Sequence, residues 1–205
     1  MSEREPILNI PGVLTALIAV LCAIHAARYM LPPVSDENII WMFGFVPKRY
    51  DSSIFEAHVI YGGTGAAIWS FVTYAMLHAD WSHLGFNMLW LLPFGSALAR
   101  RFGPFRFLTF LAVTAVGGAL AHLATHTHEV APMIGASAAI SGAMAGAIRF
   151  AFQRGSFLGL RRGIGDEAAH VPALPLFAAL RNPRVAIFLA IWFGVNIVFG
   201  LGSMT

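Results

Sequence analysis

The chain has 205 residues, of which 58% are hydrophobic and 11% are charged, and its formal net charge is +3. Soluble domains carry roughly 25% charged residues, so this composition excludes an ordinary water-soluble fold and predicts a helical membrane protein. The cations do not form a basic patch interleaved with aromatic residues, so we expect no nucleic-acid partner. The only cysteine, Cys22, excludes an intramolecular disulfide.

Five apolar segments approach the roughly 20 residues that a helix needs to cross about 30 Å of hydrocarbon. Pro, Gly or Arg residues bound each of them, as is typical of span ends. The predicted spans are residues 11–31, 83–99, 105–124, 134–152 and 184–202. The shorter run Ala66–Leu77 predicts an interfacial or re-entrant element. Residues 1–205 are therefore predicted to form a single all-α, polytopic transmembrane bundle.

The cations predict the orientation of these spans, because Lys and Arg are retained on the cytoplasmic side. Three arginines lie between the second and third spans or at their adjoining ends, and six lie between the fourth and fifth or at their adjoining ends, whereas the connection between the third and fourth spans holds none. The N-terminus is therefore expected inside the cell and Thr205 outside.

Polar residues near the ends of the spans are the candidates for chemistry, since each costs free energy in hydrocarbon unless it is paired. His83 and Asn87 are four residues apart and share one face of the second span, near its outer end. Ser137 begins the fourth span at the same outer side. A serine nucleophile needs a base and hydrogen-bond donors for the oxyanion, and His83 and Asn87 suit the donor role.

These residues resemble a known family, the rhomboid intramembrane proteases. The resemblance is carried by WSFVTYAMLHADWSHLGFNMLWLLPFG, with its H-x(4)-H-x(3)-N spacing, and by the later GASAAISGAMAGA; it covers about residues 66–202. It implies a rhomboid-like bundle in which Ser137 is the nucleophile and His83 and Asn87 line the oxyanion hole. It further implies that Gly135 permits the loop geometry before the serine and that the loop of residues 32–65 packs laterally in the membrane. His78 is expected to support the mouth of the site.

The sequence also departs from the family pattern. Ala138 follows the serine where the family usually has glycine, Ser141 replaces a tyrosine or apolar residue, and Ala99 replaces a carboxylate. The family's general base is a histidine on a sixth span, and residues 1–205 contain only five of the six core helices. We therefore expect the base to lie outside this chain, which makes the domain C-terminally incomplete.

Several alternatives stay open. Ser137 by itself suits helix packing, and His83 with Asn87 suits a structural hydrogen-bonded pair. Ser141 lies one turn after Ser137 on the same helix face, so it is an alternative nucleophile. The spacing of His122, His126 and His128 with Glu129 is compatible with zinc, although interfacial polar residues explain it as well.

The sequence therefore predicts an intramembrane serine endopeptidase that cleaves transmembrane protein substrates in or near their spans, with no metal or organic cofactor. Its expected location is the lipid bilayer of a bacterial inner membrane, and its oligomeric state is left open. The first alternative is an inactive rhomboid-like protein that binds transmembrane clients. A small transporter is the second, and the sequence offers little for it.

Overall fold

The computed structural model describes residues 10–51, 62–158 and 165–202. Two short 3₁₀ segments, Pro47–Tyr50 and Tyr74–Met76, lie among these residues, which contain no β-strand beyond an isolated bridge. The prediction of an all-α fold is confirmed. The nine helices of the described residues are α1 (Gly12–Tyr29), α2 (Pro33–Phe43), α3 (Gly63–Thr73), α4 (Trp81–Phe102), α5 (Pro104–Thr125), α6 (Ser137–Ala151), α7 (Gly165–Ala169), α8 (Leu176–Leu180) and α9 (Pro183–Gly202).

Helices occupy each of the five segments predicted to span a membrane, namely α1, α4, α5, α6 and α9. Within the described ranges, α1 and α5 are both long and apolar enough to cross a bilayer, with mean hydropathies of 1.7 and 1.8 over an 18-residue stretch of each. That the other three cross it stays a prediction. The run Ala66–Leu77 is helical as far as Met76, because α3 continues directly into a 3₁₀ segment, and its interfacial or re-entrant position stays a prediction. The loop predicted after α1 contains α2, and its residues 52–61 lie outside the described part of the chain.

The chain divides into two compact units, Met1–Met144 and Ala145–Thr205, with the boundary inside α6. In the first unit α4 packs against both α1 and α5, and α3 packs against both α2 and α5. A methyl group added to Gly95 of α4 would lie 3.2 Å from Leu14 Cδ1 of α1, so the two helices approach closely at that glycine. In the second unit α9 packs against α8.

Helix α4 is defined by clear signals at both ends. Asp80 caps its start, and Gly103, with a φ of +74°, ends it before Pro104 begins α5. Glycine adopts this left-handed conformation without steric cost, and proline suits the first position of a helix. Buried residues recur along one face, which packs into the first unit; they are Leu84, Asn87, Leu91, Phe94 and Leu98.

A buried arginine ties α2 to α3. The guanidinium of Arg49 donates to the carbonyl oxygens of Trp41 at 2.7 Å and Ala66 at 3.1 Å, and to Ser70 Oγ at 3.0 Å. Burial lowers the pKa of Arg49 from its ordinary value. The partners are neutral oxygen atoms that accept hydrogen bonds from the cation. These charge-assisted hydrogen bonds compensate for its desolvation and fix the chain that follows α2.

The chain after α2 in turn holds the loop that leads into α6. Phe45 and Met133 exchange two backbone hydrogen bonds, of 3.0 and 2.8 Å, and Lys48 N–H donates to the Glu129 carbonyl at 3.0 Å. The loop before Ser137 is therefore attached to a buried, well-packed segment.

Candidate active site

The start of α4 is fixed by the side chain of Asp80. Its Oδ1 accepts hydrogen bonds from the hydroxyl of Ser82 and, at 2.8 Å, from the backbone N–H of His83. These two hydrogen bonds, that of Ser82 first, hold the pKa of Asp80 below its ordinary value. The carboxylate satisfies an N–H group that has no partner within the helix. His83 therefore lies in the capped first turn.

Two contacts orient the imidazole of His83. Its Nδ1 accepts the N–H of Ala79 at 3.5 Å, which assigns the ring proton to Nε2. At the other edge of the ring, a methyl group added to Gly135 would lie 2.8 Å from both Cε1 and Nε2. The donor edge of His83 therefore packs directly against the backbone of Gly135.

Gly135 occupies a conformation that other residues rarely adopt. Its φ is +122°, and its N–H donates to the carbonyl of Tyr74 at 3.0 Å. A side chain at this position would strain the backbone and also displace His83. The glycine thus allows the loop to pass against the imidazole two residues before Ser137.

Ser137 is the first residue of α6, and its side chain is exposed. No described residue is hydrogen-bonded to its hydroxyl. Ser141 lies one turn further along α6 and is half-buried. The exposed hydroxyl of Ser137 therefore follows, two residues later in the chain, the glycine that contacts the donor edge of His83.

Asn87 lies one turn after His83 and is buried. Its Nδ2 donates to the backbone carbonyl of His83 at 3.0 Å. This hydrogen bond occupies one of the two amide N–H groups and leaves the other available.

Small residues bring α5 and α6 together beside the serine. The methyl group of Ala138 is directed at Gly118, where a second methyl would overlap it and would lie 3.0 Å from Tyr74 Oη. Gly142, one turn later, leaves no room for a methyl against the side chain of Thr114. The Ala138 methyl, which departs from the family pattern, is therefore accommodated by a glycine on the neighbouring helix.

His78 lies in the segment before α4 and is completely buried. Its ring meets that of His83 edge to face, with 5.2 Å between the ring centroids. Burial, with smaller contributions from His83, His25 and Arg28, lowers the pKa of His78 to about 4. The imidazole is therefore neutral at neutral pH.

Sequence reasoning missed Arg28, at the end of α1. Its Nη1 donates to the carbonyl of His78 at 2.8 Å, and its Nε and Nη2 donate to the carboxylate of Asp36 at 2.7 and 3.1 Å. The sequence does contain a signal for this contact, because an arginine inside a predicted span carries a charge that must be paired with another group.

The side chains of the alternative zinc cluster are not gathered around a common point. The rings of His122 and His126 stack with 4.5 Å between centroids, while His128 Nδ1 lies 3.4 Å from Asp51 Oδ2. Glu129 instead accepts the N–H of Ala131 at 3.1 Å. In the described part of the chain, no group of three or more His, Cys, Asp or Glu side chains is arranged to hold a metal ion.

The sequence profile of the rhomboid domain matches residues 65–204. The chain belongs to the rhomboid family. It is accordingly an integral membrane protein of a family that includes serine proteases and inactive members. A comparison with curated proteins found no match. The matched region contains His78, His83, Asn87, Gly135 and Ser137, whereas α1 with Arg28 lies before it.

Proposed function

We propose that this rhomboid is an intramembrane serine endopeptidase and that Ser137 is its nucleophile. The observation that carries the proposal is the packing of the His83 donor edge against Gly135, two residues before the exposed hydroxyl of Ser137. Acyl transfer needs a nucleophile and donors that face the developing oxyanion, and the closeness of His83 to the chain just before Ser137 supports these two roles.

In the proposed reaction, Ser137 Oγ attacks the carbonyl carbon of a peptide bond in or near a substrate's transmembrane segment. The carbonyl oxygen gains negative charge in the tetrahedral intermediate. His83 Nε2–H, the remaining N–H of Asn87 and the backbone N–H of Ser137 donate to that oxygen. Removal of one such donor typically costs about 10²–10³ in kcat.

The reaction also requires a base that takes the proton of the Ser137 hydroxyl. The family resemblance implies a histidine on a sixth span, and we propose that this group is supplied from outside residues 1–205. Collapse of the intermediate then releases the amine with that proton, and water hydrolyses the acyl-enzyme. Substrates are proposed to be transmembrane proteins of the same bilayer, which we propose is a bacterial inner membrane.

A fluorophosphonate serine probe tests the proposal in native membranes. We expect labelling in the gene product read past codon 205, its loss in Ser137→Ala, and its retention in the matched control Ser141→Ala. Loss of labelling in Ser141→Ala alone would move the nucleophile by one turn. If the longer form is folded and is not labelled, the proposal of a serine endopeptidase is overturned.

One observation favours a second candidate, a client-binding rhomboid without activity. Among the described residues, none accepts or donates a hydrogen bond at the Ser137 hydroxyl, so none of them is placed as its base. This candidate predicts that transmembrane clients co-purify equally with the wild type and with Ser137→Ala and remain uncut. Accumulation of cleaved clients only with the wild type would exclude it.

A further inference from the structure

The peptide group between His78 and Ala79 connects α1 to the candidate oxyanion donor. Its carbonyl oxygen accepts a hydrogen bond from Arg28 Nη1 at 2.8 Å, and its N–H faces His83 Nδ1 at 3.5 Å. No peptide bond among the described residues is cis. In a planar trans peptide the C=O and N–H point in opposite directions, so fixing one fixes the other.

We propose that Arg28 is a positioning residue that sets the tautomer of His83 through the peptide group joining His78 to Ala79. This inference rests on the proposed role of His83 as an oxyanion donor. The chain of contacts runs from the guanidinium to the carbonyl oxygen, and from the amide N–H to Nδ1 of the imidazole. A proton held off Nδ1 is held on Nε2, the atom that lies against Gly135.

The guanidinium is well suited to this task. Arg28 is only 6% exposed, and two of its nitrogens bind the Asp36 carboxylate side by side, which leaves Nη1 aimed at the His78 carbonyl. A planar, bidentate pair fixes the direction of the third donor in a way that a lysine ammonium does not. The positive charge also polarises the peptide group and strengthens its N–H as a donor.

Neighbouring contacts hold the same segment in place. His25 and Tyr29 of α1 meet the ring of Trp81 edge to face, at centroid distances of 4.5 and 6.3 Å. The face of α1 that carries residues 25, 28 and 29 therefore packs on the chain just before and at the start of α4. Because α1 lies outside the profile match, this positioning belongs to a part of the chain that the family profile does not describe.

The test is nitrogen NMR of the ¹⁵N-histidine-labelled chain in detergent micelles, with His83 assigned by its loss in His83→Gln. We expect mainly the Nε2–H tautomer in the wild type. Arg28→Met should lower the ratio of the Nε2–H to the Nδ1–H form about tenfold, since a charge-assisted hydrogen bond is lost. Arg28→Lys should retain part of the effect. An unchanged ratio in folded Arg28→Met overturns the inference.

Arg49→Met is the matched control. It removes a second buried arginine of the same unit, whose hydrogen bonds go to Trp41, Ala66 and Ser70 rather than to the segment before α4. It should destabilise the protein and leave the His83 ratio unchanged; an equal change would assign the effect to general loosening and overturn the inference.

If Arg28→Met fails to fold, Asp36→Asn provides the same test, because it weakens the hydrogen bonds that hold the Arg28 guanidinium and leaves the guanidinium in place. A lower ratio supports the inference and an unchanged ratio overturns it. Probe labelling of the longer form is measured in parallel. Absence of labelling in every variant would refute the proposed function, while the NMR ratio still decides the role of Arg28.

Discussion

The contact between Gly118 and Ala138 makes a testable prediction about how α6 is seated beside the serine. In Gly118→Ala the new methyl would lie well inside the roughly 3.5–4.0 Å of an ordinary carbon contact with the Ala138 methyl. It would also crowd Tyr74 Oη, which donates to the Ala115 carbonyl at 2.9 Å. Overpacking costs typically 1–3 kcal/mol, and we expect a loss of about 2 kcal/mol in the free energy of unfolding.

The reciprocal substitution should repair the defect. Ala138→Gly alone is expected to cost no more than about 1 kcal/mol, from the glycine in the first turn. In the double variant the single methyl is moved from one helix to the other, so the loss should fall well below the sum of the two single losses. Reversible unfolding in mixed detergent micelles measures all three values.

The neighbouring glycine of α5 supplies the control. A methyl added to Gly117 meets nothing within 4 Å, so Gly117→Ala should be neutral or slightly stabilising. Additive losses in the Gly118 and Ala138 pair, or an equal loss in Gly117→Ala, would refute the packing that we describe.

Three further predictions concern the start of α4 and the loop before α6. Gly135→Ala should reduce probe labelling of the longer form at least about 100-fold, because its methyl displaces His83, whereas Gly85→Ala, which meets nothing within 4 Å, should label normally. Asp80→Ala should lower the free energy of unfolding by about 1 kcal/mol and Asp80→Asn by less, as measured by denaturation at neutral pH; equal losses would argue against the cap. Burial lowers the pKa of His78 to about 4, so below pH 6.5 the unfolded chain binds a proton at His78 more readily than the folded chain does. The free energy of unfolding should therefore fall by about 3 kcal/mol as the pH drops from 6.5 to 4. The same titration of His78→Phe should lack this loss. If the variant and the wild type lost equal stability over this pH range, the burial of a neutral His78 would be contradicted.

The sequence was informative about the helices because their signals are local. Apolar length, bounding Gly and Pro residues and the Asp80 cap can all be read within one segment, and helices occupy every predicted span. The helix α2 was missed inside the loop predicted after α1. Its acidic residues interrupt the apolar pattern, and its position depends on Arg28 and Arg49 through hydrogen bonds with other parts of the chain.

The candidate site was only partly predictable for the same reason. The four-residue spacing of His83 and Asn87 is visible on one helix face, but the contact of His83 with Gly135 joins residues 52 positions apart. The compensation of Ala138 by Gly118 likewise depends on how two helices are seated. Such pairs arise from tertiary packing, which a single sequence does not encode as a local pattern. The catalytic roles of these residues stay predictions.

The role of Ser137 as the nucleophile can be tested by locating the fluorophosphonate adduct by mass spectrometry in the gene product read past codon 205. We predict one adduct, on Ser137, whose formation slows in His83→Gln as an oxyanion donor is lost. An adduct on Ser141 or another serine, or a folded protein that forms none, would contradict it.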